Sequence, residues 1–109
     1  MTIFMVATYV VKPEKLGEYM LFNKKGEPWI RSRQDLFKEV KSIKLFSHVT
    51  GSFGGFVEMW EFESLSEMEK WVDKYMKDKD YATYHPEFMA LIVPETYSIN
   101  IWTSVGELQ

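Results

Sequence analysis

Glu58 is the residue whose type and position hold most chemistry. It lies in the run Phe56-Val57-Glu58-Met59-Trp60-Glu61-Phe62. In an extended chain successive side chains point to opposite faces, so Glu58 shares a face with Phe56, Trp60 and Phe62. A carboxylate on an apolar face is costly without a partner, and burial raises its pKa. Such a group suits a general base or a ligand anchor. Its plainer reading is a structural hydrogen bond or ion pair. Arg33 is the expected partner, because it falls on one helical stripe with Ile30 and Phe37. Paired with Glu58 it is structural; unpaired it is an anion anchor. His85 is the second acid–base candidate, set among Tyr81, Tyr84 and Phe88, with Trp71 one helix earlier. Its plainer reading is a surface or helix-capping histidine. Trp29, Trp60, Trp71 and Tyr84 supply large rings for the wall of a ligand site. His48 is read as packing.

Other chemistries find little support. Gly51-Ser52-Phe53-Gly54-Gly55 opens no helix, so it is a hairpin turn and not a phosphate cradle. The chain has no Cys and only two His, far apart in sequence, so no metal site is expected. The glycines around Ser52 lack the spacing of a nucleophile elbow. No cofactor is called for. The net charge of −3 supplies no basic field for nucleic acid.

The elements that must position these groups follow from pattern. Residues 3–11 are β-branched and aromatic and predict a strand that is apolar on both faces. Pro13 suits the first position of a helix over 14–25. Gly26 and Pro28 predict a break there and a second helical piece over 28–40. Residues 43–50 and 56–63 predict a β-hairpin. Ser64/Glu67 and Ser66/Glu69 are overlapping capping boxes that start another helix. Pro86 predicts an interruption, with a short helix over 86–92 and a last strand over 96–103. The order is β-α-β-β-α-β. It predicts one domain, 1–109, of the α+β class: a ferredoxin-like four-stranded antiparallel sheet with helices on one face.

Two features sharpen this picture. A turn over 51–54 pairs Thr50 with Gly55 and sets Leu45 opposite Trp60 and Lys44 opposite Glu61. Both faces of the sheet carry large apolar groups, and aromatics reach 17% of the chain. Helices on one side leave the other bare, so a homodimer with its sheets facing each other is expected.

The element order, the strand Glu58-Met59-Trp60-Glu61-Phe62, the junction Ser64-Leu65-Ser66-Glu67-Met68-Glu69 and the stretch Tyr84-His85-Pro86-Glu87-Phe88 carry a resemblance over nearly the whole chain. The sequence resembles the dimeric α/β-barrel superfamily, in its NIPSNAP-like and antibiotic-biosynthesis-monooxygenase-like branches. The resemblance implies a pocket between helices and sheet in each protomer. It implies a range of activities, including cofactor-independent oxygenases of polycyclic aromatics, isomerases and haem-degrading enzymes. The haem-degrading branch places an Asn on its first strand, and residues 3–11 contain none.

Two readings of function follow. The first is a small-molecule-binding dimeric barrel, a cofactor-independent monooxygenase or an isomerase of a hydrophobic or aromatic compound, with Glu58 as proton acceptor. The second is a non-enzymatic binding or assembly module. No apolar run spans a bilayer, and the N-terminal residues do not form an export signal, so a cytoplasmic protein without membrane contact is expected.

Overall fold

The computed structural model describes residues 2–51 and 53–106. Strands β1 (Ile3–Val10), β2 (Val40–Ser47), β3 (Gly55–Phe62) and β4 (Ser98–Thr103) form one antiparallel sheet in the order β2-β3-β1-β4. Helices α1 (Leu16–Ser32), a short α2 (Gln34–Phe37), α3 (Leu65–Lys77) and α4 (Lys79–Leu91) complete the α+β, ferredoxin-like fold.

The first helix runs unbroken through Gly26 and Pro28, against the expected break. Packing explains why. Phe22 and Trp29, seven residues apart on one stripe, both lie against Tyr84, with ring centroids 6.3 and 4.7 Å away. That contact holds the helical phase across the weak point. Pro28 is exposed, so the carbonyl it leaves unpaired, four residues earlier, can turn to water. The chain breaks instead at Arg33, which lies outside the helical region between α1 and α2. Pro86 is likewise exposed and sits inside α4, so the expected short helix over 86–92 is the second half of a longer one. Ser64 caps α3 as its spacing predicts, its Oγ accepting from the Glu67 amide at 3.2 Å.

The hairpin corrects a second expectation. β2 covers 40–47, and Leu45 stands opposite Glu58, Ile43 opposite Trp60 and Ser47 opposite Phe56. The pairing has moved by two residues from the expected one. A shift of two keeps every side chain on its face, whereas a shift of one would invert the strand. Glu58 therefore stays on the helix side. Lys44, however, meets Met59, and Glu61 accepts a hydrogen bond from Ser42 at 2.7 Å instead. The longer loop is closed by His48, whose amide donates to the Gly55 carbonyl at 3.0 Å. A Cβ at Gly55 would lie 2.7 Å from the His48 ring, so a side chain there would displace that exposed imidazole.

The core between helices and sheet is divided. One cluster is built on Ile3, Phe37, Phe62, Met68 and Trp71, and the other on Tyr9, Val11, Tyr19, Phe56 and Ile92. Each fully buried aromatic of this kind contributes about 1.5–3 kcal/mol. Glu58 lies on β3 between Phe56 of one cluster and Phe62 of the other, on their common face. Strand β4 is barely covered: Ile99 and Ile101, on the helix side, keep 47% and 46% of their surface exposed. Trp102 on the opposite side keeps 51%. Among the described residues, no helix is long and apolar enough to cross a membrane.

Candidate functional site

Glu58 bridges the two halves of the core. Tyr9 projects from β1 on the same face, one diagonal step away, because Ala7 is the residue directly opposite Glu58. The Tyr9 hydroxyl donates to Glu58 Oε2 at 2.5 Å. The Trp60 indole N–H donates to Oε1 at 3.0 Å. Behind Tyr9, the hydroxyls of Tyr9 and Tyr19 lie 2.5 Å apart. The small side chain of Ala7 is what lets the longer Tyr9 and Glu58 side chains meet over the sheet.

Glu58 forms no ion pair with any lysine or arginine among the described residues. Burial pushes its carboxyl above the usual carboxylate range, and the donors Tyr9 and Trp60 only partly offset that. The same environment acts on the tyrosines. Burial, with the nearby Glu58 charge second, raises Tyr75 and Tyr97 to about 12. Burial and Glu58 drive Tyr9 higher still. Tyr75 comes from α3 and Tyr97 from the turn before β4, so phenols on both sides of the core feel one carboxylate. Glu58, Trp60, Tyr75, Tyr81, His85 and Tyr97 all remain partly exposed. This polar centre is set deep yet not sealed, and the uncovered strand β4 lies beyond β1 from it.

A continuous row of rings leads from Glu58 to the surface. Trp60 packs on Trp71 (centroids 4.8 Å), Trp71 stacks on Tyr75 (4.9 Å), Tyr75 meets Tyr81 edge-on (4.9 Å), and Tyr81 stacks on His85 (4.9 Å). His85 is therefore linked to Glu58 through four intervening rings, without touching the carboxylate. Trp71 is buried in the core, its indole N–H without a hydrogen-bond partner.

Arg33 is placed elsewhere, and the expected Arg33–Glu58 pair does not form. The expectation assumed a helix continuing through position 33. Because α1 ends at Ser32, the guanidinium turns toward the α3–α4 junction. There it binds Asp78 at 2.7 Å, Asp80 at 2.7 Å and Asp35 at 3.1 Å. Its partners hold Arg33 well above the ordinary guanidinium range and pull Asp78 and Asp35 below theirs. Trp29 joins this cluster by donating to Asp80 at 2.8 Å, and Tyr84 packs on Trp29. Of the residues singled out from sequence, the fold thus groups Glu58, Trp60, Trp71 and His85. Arg33, Trp29 and Tyr84 form a separate knot.

Tyr9, Tyr19, Tyr75 and Tyr97 complete the centre and were not singled out as site residues. The available signal was slight: tyrosine where phenylalanine would fill the same apolar position implies a hydroxyl in need of a partner. Two shallow hollows of the surface lie away from Glu58. One, of about 430 Å3, runs along α3 past Met68, Val72 and Met76. The other, of about 310 Å3, lies beside Arg33, Lys74 and Asp78.

Over its full length the chain superimposes on a NIPSNAP family protein from Agrobacterium tumefaciens, with a TM-score of 0.74, 20% identity and all of both chains covered. The fold is of the NIPSNAP type. An uncharacterised NIPSNAP domain protein from Burkholderia xenovorans has the NIPSNAP-type fold at TM-score 0.73 and 12% identity, covering 96% of this chain and 95% of its own. A protein described as an antibiotic biosynthesis monooxygenase matches at TM-score 0.68 and 12% identity, covering 95% and 99%. No family profile and no curated protein matches the sequence. At these identities the likeness is one of fold, and folds of this kind host many activities.

Proposed function

We propose that the protein binds a small hydrophobic or aromatic molecule against Glu58, Trp60, Tyr75 and Tyr97, and that it does so as a homodimer. The observation that carries this reading is Glu58 itself: a deep-set, partly exposed carboxylate with two neutral donors, no cationic partner and large rings around it. Convergent polar groups in an apolar, aromatic setting are what a ligand site needs. Glu58 would take a proton from an acidified C–H or O–H of the bound compound. Its raised pKa suits that task near neutral pH. Proton removal opens both cofactor-independent oxygenation and isomerisation, and the fold likeness to a monooxygenase is in keeping with the first. Trp60 and Trp71 supply wall, and His85 stands at the outer end of the ring row as acid–base or ligand contact.

The dimer rests on exposed apolar groups of the open sheet face, Phe46 on β2 and Trp102 on β4. A second copy packed on that face would bury both. A non-enzymatic binding or assembly module is the second reading, favoured by the two surface hollows, neither of which is lined by Glu58. Native mass spectrometry of the purified protein tests the proposal, with dimer mass and a retained small molecule as the expected result. A bare monomer at micromolar concentration would refute it. For any compound found, unchanged turnover by Glu58→Gln would leave only the second reading.

A further inference from the structure

Charge and ring placement around Glu58 go further than hydrophobicity. We propose that the ligand carries a protonated amine, with its ammonium group on Glu58 and its apolar body against Trp60, Tyr75 and Tyr97. This inference rests on the binding role proposed above and names the chemical class bound there.

The first argument is electrostatic. Tyr9 and Trp60 use one acceptor position on each Glu58 oxygen. A carboxylate has about four such positions, so about two are free for a ligand donor. No lysine or arginine among the described residues pairs with Glu58, and Arg33, the expected partner, is held by Asp35, Asp78 and Asp80. An anionic ligand would meet a carboxylate and no counter-charge. An ammonium would supply the missing partner of a buried acid, the arrangement that makes such charges tolerable.

The second argument is geometric. Both residues that donate to Glu58 are backed by further rings: Tyr97 stacks on Tyr9 with centroids 6.1 Å apart, and Tyr75 stacks at 4.9 Å on Trp71, which packs at 4.8 Å on Trp60. Ring faces attract cations, by about 0.5–2 kcal/mol each according to desolvation. A carboxylate set among such rings makes a receptor for an organic cation. Neutral aromatics gain the stacking alone.

Three matched probes test this by isothermal titration calorimetry at neutral pH: 2-phenylethylamine, 2-phenylethanol and phenylacetate. They share a benzene ring and differ in charge. The expected order is amine tightest, by tenfold or more over the alcohol, with phenylacetate weakest. Glu58→Gln should remove the advantage of the amine and leave the alcohol unchanged. If the alcohol or the acid binds as tightly as the amine to wild-type protein, the amine assignment is overturned while the ligand site stands. If none binds at millimolar concentration, the site and the assignment fall together. The ranking on wild-type protein decides the matter even where the variant folds poorly.

Discussion

The Tyr9 hydroxyl stands 2.5 Å from Glu58 Oε2, a contact made diagonally across the β1–β3 pair. The same hydroxyl lies 2.5 Å from that of Tyr19 on α1, so a helix, a central strand and the buried acid form one connected polar row. Replacing Tyr9 by Phe removes the shared member and leaves two buried polar groups each short of a partner. Such losses cost about 1–3 kcal/mol. Urea denaturation of Tyr9→Phe should show a loss in that range. An NMR titration of the Glu58 carboxyl carbon should show its pKa moving further up, because the Tyr9 hydrogen bond is among the groups lowering it.

Stability should depend on the ionisation of Glu58 in a defined direction. Its folded pKa lies above the unfolded value. The folded state therefore holds the proton to higher pH, and the stability tied to it is complete below the unfolded pKa and lost as pH rises through the folded one. Glu58→Gln lacks this titration. Its melting temperature relative to wild type should rise between pH 4 and neutral; a flat difference across that range would contradict a buried, unpaired acid.

Arg33 gives the opposite sign. Asp35 and Asp78 are held below their ordinary pKa, Arg33 being the largest cause for each. Their contribution is present above the unfolded pKa and lost as pH falls through the folded one. Arg33→Gln should lower the melting temperature by several degrees at neutral pH and by progressively less in acid. Titration of the 2-phenylethylamine site should be unaffected, since this knot is separate from Glu58.

The unbroken α1 makes Pro28 a cost. Proline inside a helix costs up to about 3 kcal/mol relative to alanine, whereas proline at a first helical position costs little. Pro28→Ala should stabilise the protein by about 1–3 kcal/mol in chemical denaturation. A neutral or destabilising result would favour the helical break that Gly26 and Pro28 suggest by themselves.

Exposed Ile101 and Trp102 lie on opposite faces of β4. If a second copy covers the sheet, Trp102→Glu should shift the light-scattering mass from dimer to monomer with little change in the circular dichroism of the fold.

The parts of this picture that were legible in the sequence are those set by periodicity. The face of Glu58 was legible because strand alternation survives a two-residue change of register. The start of α3 was legible because Ser64 and Glu67 have one geometry to satisfy. The partners were less so. Extending a helical stripe past Ser32 puts Arg33 near Glu58, whereas the end of α1 redirects it to Asp78 and Asp80. Gly26, Pro28 and Pro86 read as punctuation, yet Tyr84 grips Phe22 and Trp29 across one of these points and overrides it. Tyr9 could not be distinguished on a strand apolar on both faces, since nothing local shows that its hydroxyl meets Glu58 from 49 residues away.

The most direct measurement follows the four tryptophan indole N–H signals by NMR as 2-phenylethanol, then 2-phenylethylamine, is added. Trp60 donates to Glu58 and Trp71 packs on Trp60, so both signals should move in a saturable way for a ligand held at that carboxylate. Trp29, tied to Asp80, should stay in place. Signals that do not move for either compound, or movement confined to Trp102 on the outer sheet, would contradict a ligand site at Glu58.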